Sequence, residues 1–252
     1  MKKTYAAILA ILIFILIQTL GGVILAFSGT STPFALTLSI ILSGLLTALI
    51  LFGMRFTQGG RTFSPATIHW PLASVAIVGA LCADFAIALM SDPFDLPNLM
   101  EEQFLQIAAT PLGILAMALV GPVVEEVVFR EAVLGNLLRG RMRPWLAILL
   151  SSLVFGLVHL NPIQIPFATL VGFILGLLYY KTGNIVLPAI VHILNNSLSV
   201  IEMNILGPEI STFSYFRLLG LPLYLALILL LLLISFFSLR YFWTHYSKCS
   251  HA

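Results

Sequence analysis

Three stretches of this chain place polar side chains where a membrane helix is expected to be apolar. GPVVEEVVFREA (121–132) carries Glu125, Glu126 and Arg130, SSLVFGLVHLNP (151–162) carries His159, and VLPAIVHILNNSL (186–198) carries His192, Asn195 and Asn196. Moving a Glu or an Arg to the middle of a bilayer costs about 2.5–3.5 kcal/mol on insertion scales. Glu126 and Arg130 are spaced i,i+4 with the acid first, so they share a face and can neutralise each other as a structural couple. Glu125 lies about 100° around the helix and has no partner at helical spacing. His192 and Asn196 stack at i,i+4, whereas Asn195 lies on a neighbouring face.

Taken singly, each histidine or amide reads as interhelical glue, a contact worth about 0.6 kcal/mol and at most about 2. Together they put an acid, two imidazoles and an amide into one part of the chain, which points to a site. A carboxylate shielded from bulk water is a stronger base toward a bound water molecule. An imidazole beside it shares the proton, and a second imidazole with an amide supplies donors where negative charge develops on a carbonyl oxygen. That set is competent for peptide hydrolysis. The same acid and imidazoles, Glu125, His159 and His192, would also make a zinc shell. The residue types alone leave both open.

The elements that hold these residues are membrane helices. Of 252 residues, 60% are hydrophobic and 9% charged, with a mean hydropathy of +1.08. Soluble domains carry about 25% charged residues, so this chain is all-α and integral to a membrane, in contact with the lipid bilayer on most of its surface. A net charge of +2 gives no footing for nucleic acid. Cys82 and Cys249 are expected to lie too far apart to pair. Runs of about 20 apolar residues predict about eight spans, at 5–27, 34–55, 70–91, 111–138, 144–160, 165–181, 185–203 and 216–240. The first run follows Lys2-Lys3 like a signal peptide but is long enough to remain as an anchor. PNLMEEQFLQIA (97–108) reads as a short interfacial helix, and Gly172 and Gly176 form a GxxxG pattern that lets another helix approach.

Alternating the loops across the bilayer sorts the charges. One side collects Lys2, Lys3, Arg55, Arg61, Arg139, Arg141, Arg143, Lys181, Arg240 and Lys248, and the other Asp92, Asp95, Glu101, Glu102, Glu202 and Glu209. Basic loops mark the cytoplasmic side, so both termini are expected there. Arg217 snorkels at a span end, and Glu131 is expected to reach toward the cytoplasmic face. Asp84 stands alone in GALCADFAIALM, as a counter-charge to Arg130, a protonated acid, or part of a proton path.

EEVVFR (125–130) resembles the EExxxR motif, FGLVH (155–159) the FxxxH motif, and His192 to Asn196 the HxxxN motif of the CAAX prenyl protease 2 and bacteriocin-processing (CPBP or Abi) family. The resemblance covers roughly 108–203 and divides the chain into 1–107, a catalytic-type core at 108–203, and 204–252. It implies an intramembrane endopeptidase acting on a membrane protein or peptide. Glu125 with His159 would activate water, and His192 with Asn196 would stabilise the oxyanion. Glu126, Arg130 and Phe155 would support them. No cofactor is expected from the glutamate-type mechanism, with zinc on Glu125, His159 and His192 as the alternative. A proton-coupled transporter and a non-catalytic self-immunity or scaffold protein are the competing functions. One mismatch is geometric: Glu125 falls near mid-membrane and His159 near the outer end of its span. The fifth span must therefore start later, tilt or sit deeper.

Overall fold

A computed structural model describes residues 2–29, 32–94 and 96–246; Asp95, Lys248 and Cys249, used in the reading above, lie outside the described residues, as do the side chains of Lys2 and Arg61. Among the described residues the architecture is helical without strands. The helices are α1 (Lys2–Phe27), α2 (Pro33–Gly53), α3 (Trp70–Ser91), α4 (Glu101–Ala108), α5 (Pro111–Arg139), α6 (Pro144–Leu157), α7 (Gln164–Thr182), α8 (Val186–Leu206) and α9 (Tyr215–His245). Seven of these, all but α4 and α6, are long and apolar enough to cross a membrane. The chain is a multi-pass integral membrane protein.

Local sequence sets the ends. Thr32 caps α2 by accepting from the Ala35 N–H at 3.2 Å, and Thr110 caps α5 by accepting from Gly113 at 3.0 Å. In each case the next residue is a proline, whose missing N–H costs nothing at the first helical position. Gly183, at φ 64°, ends α7 in the left-handed conformation that glycine adopts without penalty. α9 is broken near its start, where Gly220 takes φ 70° and ψ 158° and Pro222 follows.

The fifth predicted span needs correction. α6 holds 14 residues rather than 17, about 21 Å against a hydrocarbon core of about 30 Å. It stops at Leu157, so His159 sits in the turn before α7 rather than on a helix. Leu160 takes φ 51° there, and Asn161 is fully buried. The Asn161 side chain accepts from the Leu99 N–H at 3.1 Å and donates to Asn98 Oδ1 at 2.8 Å. This connection ends inside the protein, strapped under the segment that leads into α4.

Packing divides into two cores. In one, α5 packs against α1 and α6, with Phe129, Phe155, Leu134 and Ile148 buried. In the other, α3, α7, α8 and α9 meet around Leu175, Leu187, Val191 and Phe242. The predicted close approach at GxxxG occurs between α6 and α7. A Cβ on Gly172 would lie 2.8 Å from Phe155 Cδ1, and one on Gly176 would lie 3.0 Å from Ile148 Cγ2. These glycines let α6 settle deeply enough to bring Phe155 under the polar residues. Glu131, expected to reach toward the cytoplasmic face, is fully buried, because Tyr179, Arg139 and the Gln58 N–H converge on it.

Candidate active site

α5 is not a uniform α-helix. Over Ala116–Val120 and again over Glu126–Leu134 its hydrogen bonds run i→i+5, closing with Gly121 N–H to Ala116 O and Gly135 N–H to Arg130 O. Such π-helical turns widen the helix and are frequent at functional sites. Pro122 lies between the two stretches and lacks an N–H, so a carbonyl in the preceding turn loses its helical donor. The Asn196 amide fills that role, with Nδ2 donating to Met117 O at 3.1 Å. Asn196 is thereby tied to α5 one turn beyond His192.

His192 is the hinge of the site. Its Nδ1 lies 2.9 Å from Glu126 Oε1, and its Nε2 lies 3.6 Å from Glu125 Oε2. A carboxylate only accepts, so Nδ1 carries the hydrogen that faces Glu126, leaving Nε2 toward Glu125. Glu126 and His192 are buried, whereas the Glu125 side chain is 26% exposed. Of the two adjacent acids, one is therefore structural in its surroundings and the other reachable.

Arg130 pairs with Glu126, as their spacing predicts, with Nε 3.1 Å from Oε2. The contact is an ion pair without hydrogen-bond alignment, and neither Nη atom has a hydrogen-bond partner among the described residues. The guanidinium instead lies over the Phe155 ring, 4.5 Å from its centroid, an attraction of about 2 kcal/mol when desolvated. Phe155 also meets His159 and His192 edge-on, at 5.1 and 5.7 Å between centroids. This one ring separates the two imidazoles and supports the arginine.

His159 is placed differently from the others. Its Nδ1 is 2.8 Å from its own helix's Phe155 O. A carbonyl only accepts, so Nδ1 carries the hydrogen and Nε2 keeps its lone pair for another donor. Among the described residues no hydrogen bond joins His159 to Glu125 or His192; Phe155 is what links it to the cluster. Glu125, Glu126, Arg130 and His192 thus touch directly, Phe155 packs between the histidines, and Asn196 binds the α5 backbone. No three His, Cys, Asp or Glu side chains among the described residues are grouped to hold a metal ion.

Asp84 on α3 is 2% exposed, and neither carboxylate oxygen has a hydrogen-bond partner among the described residues. It makes no ion pair with Arg130, which excludes the counter-charge reading; the group it interacts with electrostatically is His192. Sequence reasoning missed the Met117 carbonyl, the Asn98–Asn161 strap and the surroundings of Glu131. Of these only the first had a signal, a proline inside an apolar helix.

Over residues 107–198 the chain matches the model of the Rce1-like family, the type II CAAX prenyl endopeptidases. It is 36% identical over 95 residues to YdiL of Bacillus subtilis (strain 168), a protein that carries a membrane-peptidase name, covering 38% of each chain. It is 35% identical over 104 residues to the membrane-embedded CAAX protease MroQ of Staphylococcus aureus (strain USA300), covering 39% of this chain and 42% of that one. The matched segment thus spans less than half the length of either curated relative. No solved structure matches the chain.

Proposed function

We propose that this protein is a glutamate-type intramembrane endopeptidase that hydrolyses a peptide bond in a membrane protein or membrane-associated peptide. The observation that carries this reading is the asymmetry of the acid pair. Glu126 is buried on Arg130 and His192, while Glu125 is 26% exposed, with His192 Nε2 at 3.6 Å and Arg130 a weaker electrostatic neighbour. Such a carboxylate is free to take a proton from water and is held in place by its neighbour.

In the proposed reaction a water donates a proton to Glu125 as its oxygen attacks the scissile carbonyl carbon. His159 Nε2, whose lone pair is free, orients that water. The carbonyl π electrons move onto oxygen, where the second N–H of Asn196 Nδ2 and the Nε2–H of a doubly protonated His192, whose Nδ1–H stays on Glu126, donate to the charge. The tetrahedral centre then collapses, the C–N bond breaks, and the proton held by Glu125 passes to the departing amine. Substrate entry requires a locally unwound segment, because a membrane helix shields its own backbone by internal hydrogen bonds. We keep both termini cytoplasmic on the strength of the basic loops alone.

The test is to incubate native membranes with purified protein and map new N-termini by mass spectrometry, comparing the unaltered protein with Glu125→Gln. New termini in membrane proteins that appear only with the unaltered protein, and persist in chelator, are expected. Their absence would leave a self-immunity or scaffold role, which needs only the fold. Activity lost to chelator and restored by zinc would overturn the metal-free mechanism.

A further inference from the structure

We propose that Glu131 is a positioning residue for the reactive acid, holding the π-helical turn that aims Glu125 and Glu126; this rests on the hydrolytic reading of the site. Glu131 belongs to neither the matched motifs nor the proposed chemistry. It is nevertheless fully buried. Its Oε1 accepts from the Gln58 N–H at 2.8 Å and from Arg139 Nη1 at 3.3 Å, and its Oε2 accepts from Tyr179 OH at 2.5 Å. Arg139 Nη2 donates to the Glu131 backbone carbonyl at 3.1 Å, and Asn136 Nδ2 ties the same region to Phe56 O at 2.8 Å. Three separate parts of the chain therefore close on this side chain: the segment after α2, the end of α5, and α7.

Its place in α5 gives that clamp a consequence for the site. Glu126 and Glu131 are five residues apart within the stretch Glu126–Leu134, whose hydrogen bonds also run i→i+5. A helix in that state holds one more residue per hydrogen-bonded ring than an α-helix, and the α form is the more stable one for an unconstrained segment. If the stretch rewound, everything before it would rotate by about 100° relative to everything after it, since that is the angle of one residue. Glu125 and Glu126 lie at the leading edge of the stretch, and Glu131 lies within it, pinned to Tyr179, Gln58 and Arg139. Releasing the pin frees the rotation. His192 on α8 would then lose Glu126, and Glu125 would leave the water position. The motif acids are set by α5, but their direction is set from Glu131.

The experiment compares the unaltered protein, Glu125→Gln, Glu131→Ala and Tyr179→Phe, all in liposomes, with a peptide substrate found by the N-terminal mapping. Thermal unfolding checks that each is folded. Misplacing a reacting group by about 1 Å already costs about 100-fold in rate, and the rotation moves Glu125 further than that, so Glu131→Ala is expected to lose at least about 100-fold in kcat with KM unchanged. Tyr179→Phe is expected to fall between the two. A histidine-labelled sample gives a second readout, because the Nδ1 resonance of His192 reports the carboxylate of Glu126 and is expected to move in both variants. A folded Glu131→Ala that keeps the unaltered kcat and the unaltered His192 resonance overturns the proposal. Should that variant fail to fold, the same result in Tyr179→Phe overturns it. If the unaltered protein cleaves nothing, or Glu125→Gln cleaves as well, the hydrolytic reading fails instead, and the His192 resonance alone decides whether Glu131 aims the acids.

Discussion

Replacing Arg130 by Met isolates the ion pair that holds the reachable acid in place. Arg130 is 1% exposed and Glu126 fully buried, their charged atoms lie 3.1 Å apart, and Glu125 acts on the guanidinium only as a weaker electrostatic neighbour. Removing it leaves Glu126 with only His192, and breaking such a buried pair costs about 3–5 kcal/mol. The lost contact with Phe155, at 4.5 Å, adds to this, although Met refills part of the volume. For a chain of this size each kcal/mol moves the midpoint by roughly 2–4 °C, so a fall of roughly 6–20 °C is expected. The double variant Glu126→Gln, Arg130→Met removes both charges and is expected to recover most of it, since paired removal leaves no uncompensated charge. Unfolding in detergent is readable through Trp70, Trp145 and Trp243, the chain's tryptophans. A single variant as stable as the unaltered protein, or a double variant no better than the single, would refute the pairing argument.

Other perturbations separate structural from chemical roles. Asp84→Asn is expected to leave the midpoint unchanged or raise it, because no hydrogen bond or ion pair among the described residues is lost with the charge; a fall of more than a few degrees in thermal unfolding would show a missed partner. Gly172→Leu drives a side chain into Phe155, where a Cβ alone would lie 2.8 Å from Cδ1, and overpacking of this kind costs about 1–3 kcal/mol. Unfolding in detergent should register that loss, and cleavage should fall with it. Asn161→Ala strips the Leu99 N–H of its acceptor and leaves Asn98 Oδ1 with the Met100 N–H at 3.4 Å, a loss of about 0.5–1.5 kcal/mol per hydrogen bond. Faster proteolysis or hydrogen exchange in the segment before α4 is the expected readout.

Much of this architecture was legible because hydrocarbon imposes its own length rule. Apolar runs placed α3, α7 and α8 within a few residues, and the i,i+4 spacing paired Glu126 with Arg130 before any coordinates. The end of α6 was not legible. Val158, His159 and Leu160 continue the apolar run, and only backbone geometry at Leu160 and the burial of Asn161 reveal that the helix has stopped. The burial of Glu131 was hidden for a related reason: its partners come from Tyr179 and Gln58, which are 48 and 73 residues away. Asn196 shows the same limit, since its acceptor is a carbonyl near a proline on another helix. Spacing along one helix identifies pairs within it, and contacts between helices depend on how the bundle closes.

The central claim is that the carboxylate of Glu125 delivers water to a peptide carbonyl. The direct measurement is single-turnover cleavage of a membrane-anchored peptide in water enriched in oxygen-18, with the products weighed by mass spectrometry. One heavy oxygen in the new carboxylate, with the signal abolished by Glu125→Gln and untouched by chelator, is the predicted result. Cleavage by Glu125→Gln at the unaltered rate, or no hydrolysis by the unaltered protein, would contradict it.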